Sequence, residues 1–558
     1  MTGDQGIHHI ELDIMELVMA DQSVPARADV LTTLDYGQLR TSALIGAAVI
    51  AILMLLSSII TIKPEQNEPP LFKPMIPLVG HIINMVRHGT MLLSRYRKHN
   101  LPAATLPMLN GKMYVIWDAS LVQALFRKKS FTLEHFAAKF SGNVAGLNSS
   151  TRNIFLTTPL VKEMLELFSK HLLKGKTLQR AQIAAVCSFE DSLRGEFTSL
   201  KNGEWLEISS MYTWLRDITT LAASRAFWGP QNPLDGDHTL LEDFWRFEDK
   251  LLIMALDLYP RFTARKAYDA RARVQAAFGR FHAAGLVDSD GVSELIRERA
   301  RLIRSYGVAS EEIGKMETSI LAVALSNTAP TLFWLLSSIL STPGLAERVR
   351  GELESAVRWD GDEAVLSVSS WERCPLLVSC YHETLRLMSR TTVTRRSDED
   401  AILVGADGRE YMIRAGVDVQ ASATALHTDP RIWGSDVDDF DPDRFLPFAK
   451  DTISQHVRQK KAAFIPFGGG RHMCPGRNLA FAQVMTFAAV LLLGYDVEPG
   501  KGSGEGTHSD AKVWKKPPRK TRGSMAEAIA KPVKKGEGYG ARLRPKAGWE
   551  KVRWHFDV

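Results

Sequence analysis

Near its N-terminus the chain contains one long, mainly apolar run that no charged residue interrupts. Residues 41–62 form a run of 22 residues without a charged side chain. As a helix this run would be about 33 Å long, enough to cross a hydrocarbon core of about 30 Å. A buried core helix would normally carry a polar stripe, and a cleaved signal peptide would begin nearer residue 1. The pattern therefore favours a transmembrane helix over these two alternatives.

Charge on either side of the apolar run predicts its orientation. Residues 1–40 form an acidic leader, whereas basic residues follow the run. Since basic flanks stay on the cytosolic side, we expect a lumenal leader and a cytosolic main domain at residues 82–558. Residues 63–81 contain repeated prolines, which stiffen the backbone and predict a hinge between the membrane helix and this domain.

Beyond residue 82 the pattern is mainly helical. Residues 311–340 form the longest of these segments, apolar on all sides and stopped by Thr342-Pro343-Gly344, which predicts an internal helix. Further helices are predicted at 91–98, 119–127, 161–178, 181–200, 212–228, 240–258, 265–284 and 375–388. Strand patterns are fewer, at 114–117, 401–404, 411–413, 462–466, 541–543 and 552–554. The predicted fold class is mainly α with small β-sheets.

Two segments carry loop signals. Residues 131–155 are punctuated by glycine and asparagine and predict a long loop. Residues 501–536 are rich in Lys, Gly and Pro, and this composition predicts a basic, solvated surface insertion.

Composition narrows the function classes. The formal net charge of +6, from 69 basic and 63 acidic side chains, is a mild excess, and no basic–aromatic repeat suited to nucleic acid is present. The four cysteines, Cys187, Cys374, Cys380 and Cys474, contain no CxxC pair. This spacing argues against a disulfide scaffold or a zinc site and fits a reducing compartment.

One of these cysteines has unusual surroundings. Cys474 lies in the segment 467–477, FGGGRHMCPGR, between a strand pattern and a helical pattern at 478–485. Backbone N–H groups at a helix start carry partial positive charge, and Arg471, His472 and Arg477 add to it. These surroundings predict a lowered thiol pKa and a metal-binding thiolate. Taken alone, Cys474 would be a small buried core residue.

The spacing of Phe467, Gly470, His472, Cys474 and Gly476 resembles the haem-binding loop of the cytochromes P450. The resemblance implies the cytochrome P450 fold, with haem b between the long central helix and the cysteine loop. It also implies that the Cys474 thiolate is the axial ligand of the haem iron. A membrane anchor and a proline-rich hinge resemble the microsomal members, which implies the endoplasmic reticulum membrane as the location.

A second set of residues stands upstream in the order that this family shows. Glu383 and Arg386 share one face of the predicted helix 375–388, and Arg444 follows in a turn-rich loop. By resemblance they form a buried structural triad that supports haem loading, for which the planar guanidinium is well suited. The alternative is an ordinary surface ion pair.

The central helix departs from the common pattern. Many cytochromes P450 have an acid followed by a threonine here, but Asn327 precedes Thr328 in this chain. An asparagine carries no titrating proton, and Pro330 is expected to kink the helix. The N-T-x-P-x-x-F-W run resembles the sterol 7α-hydroxylase and prostacyclin synthase branch. Asn327 and Thr328 are the candidate catalytic residues; the alternative is that they only satisfy backbone groups.

Cationic side chains are expected to hold the haem propionates. His472 is one candidate, and Arg396 or its neighbour Arg395 is another, with the register left open. Lys170 and His171 are the alternative, because the family's W-x-x-x-R pattern is absent from the earlier helices.

The resemblance implies a membrane-anchored monooxygenase that uses O2 and electrons from NADPH through cytochrome P450 reductase. By resemblance the substrate-facing segments are 131–155, 322–331, 389–394 and the region before Gly540. They are mostly apolar or small and suit a lipophilic terpenoid, sterol-like or other polycyclic substrate of secondary metabolism. Five basic residues are predicted to form one surface: Arg458, Lys460, Lys461, Arg471 and Arg477. Such a surface would attract an acidic redox partner; the alternative is an ordinary solvated face. Two alternatives stay open: an isomerase or dehydratase acting on a pre-oxidised lipid without reductase, and a non-catalytic haem-binding sensor or carrier.

Overall fold

The structure is a computed structural model. It describes residues 65–557, except 75–80, 82–83, 86–87, 98–99, 109–110, 202, 447–453, 501–513, 515, 522–525 and 538, together with residues 44, 47 and 48. The chain divides into two units, Met1–Thr61 and Ile62–Val558. The predicted leader lies outside the described residues, and so does the predicted membrane helix 41–62 apart from three positions.

Helices dominate the second unit. In the described part of the chain they are α1 (Met91–Tyr96), α2 (Ala119–Arg127), α3 (Glu134–Ala145), α4 (Ser149–Thr157), α5 (Leu160–Leu172), α6 (Lys176–Phe197), α7 (Met211–Trp228), α8 (His238–Glu248), α9 (Leu251–Leu256), α10 (Pro260–Thr263), α11 (Arg265–Ala283), α12 (Glu294–Ser305), α13 (Ser310–Leu325), α14 (Thr328–Ser341), α15 (Leu345–Ala356), α16 (Pro375–Met388), α17 (Ala423–His427), α18 (Pro430–Trp433), α19 (Gln455–Ala463) and α20 (Arg477–Gly494).

The strands form small sheets at the edges of the helical core. They are β1 (Ala103–Met108), β2 (Gly111–Ile116), β3 (Leu206–Ile208), β4 (Arg358–Asp360), β5 (Glu363–Ser367), β6 (Thr392–Arg396), β7 (Ala401–Val404), β8 (Glu410–Ile413), β9 (Asp418–Ser422), β10 (Tyr495–Pro499), β11 (Ala541–Pro545) and β12 (Arg553–Asp557). The sheet orders are β1-β2-β9-β6, β10-β11-β3, β12-β5-β4 and β7-β8. The mainly α fold with small sheets predicted from the sequence is confirmed.

Two local predictions are wrong. The predicted loop at 131–155 holds helices α3 and α4, because two of its punctuating residues are buried inside α3 and two lie at helix ends. Gly146, at φ +60°, ends α3, and the Asn148 side chain accepts a hydrogen bond from the Thr151 N–H at the start of α4. The predicted strand at 462–466 begins inside α19, which the Ser454 hydroxyl caps by accepting from the Val457 N–H.

The central helix is interrupted once, between α13 and α14. Its break at Ser326 and Asn327 lies one turn before Pro330, which has no N–H to donate to the carbonyl of residue 326. The Asn327 carbonyl accepts from both the N–H and the hydroxyl of Thr331, at 3.3 Å and 2.7 Å. The helical hydrogen-bond pattern is therefore interrupted beside the residues predicted to be catalytic.

Two described helices are long and apolar enough to cross a bilayer, Ser310–Ser341 and Arg477–Gly494. In each, 78% of the most apolar window is buried inside the protein. By length and composition alone they would qualify as spans, but this burial is typical of core helices.

The described end of the predicted hinge is fixed to the catalytic domain. The N–H of Phe72 donates to the Thr105 carbonyl of β1 at 2.9 Å, and Thr105 returns a bond from its own N–H to the Pro70 carbonyl. Buried Glu68 pairs with Lys112 of β2 at 2.6 Å. Residues from 65 onward therefore belong to the folded unit.

The insertion predicted at 501–536 is only partly a surface segment. Ile529 and Ala530 are buried, and the Ala530 carbonyl accepts a hydrogen bond from the Trp334 indole of α14 at 2.6 Å. The expectation of a wholly solvated loop is wrong for residues 526–532, because they run between the central helix and α16. The N–H of Ala530 donates to the Met388 carbonyl.

Candidate active site

The cysteine loop is a closed turn that ends at a helix. The N–H of Cys474 donates to the Phe467 carbonyl at 3.0 Å, and a short 3-10 turn, Gly470–His472, precedes the cysteine. Gly476 is the N-cap of α20, and the Arg477 guanidinium donates to the Cys474 carbonyl at 3.1 Å. These bonds fix the backbone on both sides of the sulfur atom.

Two glycines of the loop are required by the approach of α2. A Cβ on Gly469 would lie 2.1 Å from the Phe126 ring. A Cβ on Gly470, where φ is +65°, would lie 2.7 Å from the Phe126 carbonyl oxygen. The triple glycine therefore lets the loop pack directly on α2. Nothing in the sequence pattern pointed to Phe126, because this contact joins residues far apart in the chain.

The electrostatics of Cys474 differ from the expectation. Burial raises the pKa of its thiol, and the N–H groups of Gly476 and Arg477 with the charge of Arg477 offset this only in part. Burial, together with Arg395 and Arg471, lowers the pKa of His472 to about 4. His472 is therefore neutral at pH 7, and the predicted lowering of the thiol pKa is wrong for the metal-free site. A bound metal would itself deprotonate the thiol.

The choice between Arg395 and Arg396 follows from the alternation of side chains on β6. Arg396 donates to Asp418 at 2.7 Å, whereas Arg395 reaches the cysteine loop and donates to the Gly469 carbonyl at 3.2 Å. Arg395 is 5% exposed and stands over the Phe126 ring at 5.9 Å. The structure thus directs Arg396 away from the loop, and we transfer the expected propionate contact to Arg395.

Lys170 and His171 are engaged elsewhere. Both side chains contact Glu298 of α12, at 2.8 Å and 2.9 Å. The described contacts therefore give them a role in joining α5 to α12.

The residues of the predicted triad are in contact. Arg386 makes two hydrogen bonds to the Glu383 carboxylate, at 2.7 Å and 2.8 Å, and Arg444 donates to the same carboxylate at 3.0 Å. Glu383 and Arg386 are fully buried. The second Arg386 amino group donates to the carbonyls of His427 and Val437. One carboxylate thereby joins α16 to the segment that leads into the cysteine loop.

One face of the central helix is open although the helix is a core element. Ile320, Val323, Ala324 and Asn327 are at least partly exposed, with Val323 at 62%, and their spacing of three and four residues places them on one stripe. Thr328 is 7% exposed and lies outside this stripe. Of the two candidate catalytic residues, the open face therefore carries Asn327.

The open face and the cysteine loop belong to one region of the fold. Leu325, at the end of α13, and Leu479, in the first turn of α20, share an apolar cluster. Cys474 is partly exposed just before α20. The stripe on the central helix and the helix that follows the thiol therefore border one apolar cluster.

This region fits a flat anionic group such as haem. Arg395 is a buried cation whose described partners are carbonyl oxygens and an aromatic ring, so an anion such as a propionate would compensate its charge. Cys474 offers the sulfur ligand, and the stripe on α13 offers an apolar wall. A mainly helical fold with this site is that of a haem-thiolate protein.

Comparisons with known proteins agree with the fold and the site. The family model described as Cytochrome P450 matches residues 288–521. A cytochrome P450 monooxygenase of Gibberella zeae is 33% identical over 92% of this chain and 95% of its own length. Cytochrome P450 monooxygenase nodJ of Hypoxylon pulicicidum is 28% identical over 88% of this chain and 93% of its own length. Cytochrome P450 7A1 of Rattus norvegicus is 26% identical over 78% of this chain and 88% of its own length.

The chain therefore belongs to the cytochrome P450 family, in the branch similar to the sterol 7α-hydroxylases. With these relatives it is an oxidoreductase of the monooxygenase class. Members of the family hold haem through a cysteine thiolate. The match confirms the resemblance drawn from the cysteine loop and from the N-T-x-P-x-x-F-W run.

Proposed function

We propose that this chain is a membrane-anchored monooxygenase of the endoplasmic reticulum that hydroxylates a lipophilic, polycyclic substrate of the terpenoid or sterol-like type. The observation that carries this proposal is the open stripe formed by Ile320, Val323 and Ala324 of α13 and by Asn327 in the break after it, of which only Asn327 is polar. A sterol-like substrate could lie along the stripe and place one C–H bond toward the cysteine side. Relatives named 25-hydroxycholesterol 7-alpha-hydroxylase and 5-beta-cholestane-3-alpha,7-alpha-diol 12-alpha-hydroxylase support this substrate class.

Each residue of the site has a distinct part in this proposal. Cys474 would hold the iron, and Arg395 would compensate the charge of a propionate; His472, which is neutral at pH 7, would add only an uncharged hydrogen bond. When bound, haem supplies the activation of O2 and the transfer of one oxygen atom to carbon. Asn327 is the polar group of the open stripe, and its amide donates and accepts hydrogen bonds without titrating. It would therefore orient a water molecule or a substrate hydroxyl, while proton delivery relies on water.

Electrons are proposed to come from NADPH through cytochrome P450 reductase. The exposure of Arg458, Lys461 and Arg471, three of the basic residues expected to attract this partner, supports the proposal. Lys460 lies 5.8 Å from the ring centre of Trp433, and Arg477 contacts the Cys474 carbonyl. Such a surface would steer an acidic partner toward the side of the protein that carries the thiol.

Reconstitution tests the proposed reaction. We expect the full chain with reductase and NADPH to convert a lipophilic substrate of sterol or terpenoid type into a product with one added oxygen atom from O2. We also expect Asn327→Leu, which keeps size but loses the amide, to divert at least half of the consumed NADPH into hydrogen peroxide. NADPH loss, peroxide and 18O incorporation from labelled O2 are the measurements.

Thr328→Val is the matched control, because it removes a mostly buried hydroxyl beside Asn327 without changing the open face. It should divert less NADPH to peroxide than Asn327→Leu. Conversion of a hydroperoxide without reductase or NADPH, together with no reductase-dependent product, would instead support the isomerase alternative. Equal coupling in both variants and the wild type would remove Asn327 from the mechanism.

Exposed apolar side chains on the catalytic domain support the anchored arrangement. The connection around α9 and α10 exposes large apolar side chains: Leu256 at 49%, Leu258 at 48%, Tyr259 at 78% and Phe262 at 80%. Arg261 and Arg265 stand beside them and are also exposed. Apolar side chains next to cations suit the interface of an anionic bilayer. We call these four residues the apolar connection.

The apolar connection predicts a measurable depth in the bilayer. A fluorophore attached at Phe262→Cys in the full chain, reconstituted in vesicles, should be quenched by spin-labelled lipids. The same label at Trp359→Cys, another exposed aromatic position at 51%, should be quenched at least threefold less. Equal quenching at both positions would contradict the contact. Unsubstituted protein gives the background labelling of the natural cysteines.

A further inference from the structure

A buried histidine holds the segment that leads into the cysteine loop. The N–H of Ile465, two residues before Phe467, donates to Nε2 of His427 at 3.0 Å. Ile465 is 3% exposed, and His427, the last residue of α17, is fully buried. Helix α19 ends at Ala463, and Ile465 belongs to neither a helix nor a strand. Its N–H therefore depends on a side chain for the hydrogen bond that a buried backbone group requires.

The imidazole of His427 is in the state that can accept this bond. Only a neutral ring has a nitrogen that accepts, because both nitrogens of a protonated ring donate. Burial, together with the charge of Arg386, lowers the pKa of His427 to about 3. The ring is therefore neutral at pH 7, and its hydrogen lies on Nδ1. It stacks on Phe464 with the ring centres 5.3 Å apart, which limits its rotation.

The bond to Ile465 gives the core a fixed position rather than extra stability. Nδ1 of His427 is buried and has no hydrogen-bond partner among the residues that the structure describes. A phenylalanine at this position would fill the same space and leave the Ile465 N–H unpaired instead. Since an unpaired donor is buried in either case, the histidine changes the stability of the core little. What it provides is a defined place for the backbone at Ile465.

His427 also joins the cysteine loop to the buried triad. Its carbonyl accepts a hydrogen bond from Arg386 at 2.8 Å, and Arg386 donates to the Glu383 carboxylate at 2.7 Å. Glu383 and Arg386 are both fully buried. One path of buried hydrogen bonds therefore runs from α16 through the backbone and side chain of His427 to Ile465. Away from water such bonds are electrostatically stronger than at a surface.

The position of Ile465 is passed on to the cysteine through the turn. Phe467, two residues further on, accepts a hydrogen bond at its carbonyl from the Cys474 N–H at 3.0 Å. Between them, the Pro466 carbonyl accepts from the Thr391 hydroxyl at 2.9 Å. Two consecutive residues are thus held by side chains from outside the loop. A shift of Ile465 would move the carbonyl that fixes the N–H of Cys474.

We propose that His427 is a positioning residue for the haem-ligating thiolate: Nε2 fixes Ile465, and the turn that follows fixes the place of the Cys474 sulfur atom. The histidine acts through the backbone, without a described contact to Cys474. Residues one step removed from a metal ligand orient that ligand and tune the metal. The inference rests on the proposed ligation of the iron by Cys474, and it is independent of the substrate and of the redox partner.

His427→Phe tests the proposal, because it keeps a buried ring and removes the acceptor. In the full chain loaded with haem, reduced and CO-bound, we expect the thiolate-type band to convert to the band of the protonated thiol at least fivefold faster than in the wild type. His427→Gln restores an acceptor, because its side-chain oxygen reaches the place of Nε2. Its conversion rate should lie within twofold of the wild-type rate. Absorption spectra recorded over time measure these rates.

Ser379→Ala is the matched control. Ser379 is also buried, at 1% exposure, and its hydroxyl accepts from the Phe445 N–H at 3.1 Å. Phe445 lies before α19, outside the cysteine loop and its entry, so this variant should convert at the wild-type rate. Equal acceleration in Ser379→Ala and His427→Phe would assign the effect to a general loosening of the core and would overturn the proposal.

Amide hydrogen exchange gives a second readout that needs no reaction. In the ferric protein the Ile465 amide should exchange at least tenfold faster in His427→Phe than in the wild type, and Ser379→Ala should leave it unchanged. Complete exchange of this amide within the first minute in the wild type would overturn the proposal. Unchanged conversion and exchange in His427→Phe would do the same.

Two further outcomes are decisive. A His427→Phe chain that circular dichroism shows to be unfolded would contradict the inference, because an equal number of unpaired donors implies a core of similar stability. A wild type without a thiolate-type band would refute the ligation by Cys474, and this inference with it. A normal wild-type band with an unaffected His427→Phe would refute the part of His427 alone, so the two failures are distinguishable.

Discussion

Cys474→Ala is expected to produce a folded chain that shows no thiolate-type absorption band in the reduced, CO-bound state. Cys474 is the cysteine of the loop beside the open face of α13, and a methyl group cannot ligate iron. Cys374 and Cys380 cannot replace it, because both are fully buried in the core at the start of α16, away from the cysteine loop. We expect bound thiolate-ligated haem to fall at least twentyfold, measured by the CO difference spectrum and by iron content.

Cys187→Ala is the matched control, because Cys187 is also a partly exposed free cysteine but lies on α6. It should retain the full CO spectrum. A thiolate-type spectrum in Cys474→Ala would show that another cysteine holds the iron, and the assignment of the loop would fail. Circular dichroism separates loss of haem from loss of fold.

The cysteine loop shows what a local sequence pattern predicts well. The closed turn, the glycines and the start of α20 all lie within residues 467–477, so their geometry follows from neighbouring residues. The same holds for Pro330, whose missing N–H places the break of the central helix one turn earlier. Where the cause and the effect are close in the sequence, the prediction and the structure agree.

Other features depend on residues far apart in the chain. Glycine and asparagine at 131–155 indicate a loop by composition, but packing decides otherwise: Gly142 and Asn143 are buried inside α3, and only Gly146 and Asn148 lie at helix ends. The sequence alone did not show whether Arg395 or Arg396 faces the cysteine loop. The pairing of β6 with β9 decides this, because neighbouring side chains of a strand point to opposite faces of the sheet. The pKa of the Cys474 thiol likewise depends on how deeply the thiol is buried, because burial outweighs the lowering effect of the nearby N–H groups and Arg477. The composition of the segment does not show this burial.

A buried ionic cluster was also missed, because its members come from separate helices. Glu317 of α13 accepts hydrogen bonds from His282 of α11 and Arg299 of α12, both at 2.8 Å, and from the Trp228 indole of α7 at 3.2 Å. All four side chains are at most 2% exposed. One carboxylate thus joins four helices, and it lies on the helix that carries the open stripe. No motif or spacing in the sequence marks such a cluster.

Glu317→Gln is expected to lower the free energy of unfolding by about 3–5 kcal/mol, because it leaves the Arg299 charge buried without its counterion. Burial alone would raise the pKa of Glu317, but Arg299 and His282 lower it below its usual value. The carboxylate therefore stabilises the fold above its ordinary pKa, and this contribution is lost as the pH falls through the lowered value. The difference between wild type and variant should accordingly be full at pH 7 and shrink only as the pH falls below the ordinary carboxyl pKa, measured by urea unfolding with circular dichroism.

Glu298→Gln is the matched control, because Glu298 also contacts a basic side chain and a histidine, Lys170 and His171, but is 26% exposed on its side chain. Water already solvates this carboxylate in part, so its loss should change the free energy of unfolding by no more than about 1 kcal/mol. Equal effects of the two substitutions would mean that the buried charge of Arg299 finds other compensation, through water or through movement of α12. A variant at Glu317 as stable as the wild type at pH 7 would lead to the same conclusion, and the cluster would then not hold the central helix in place.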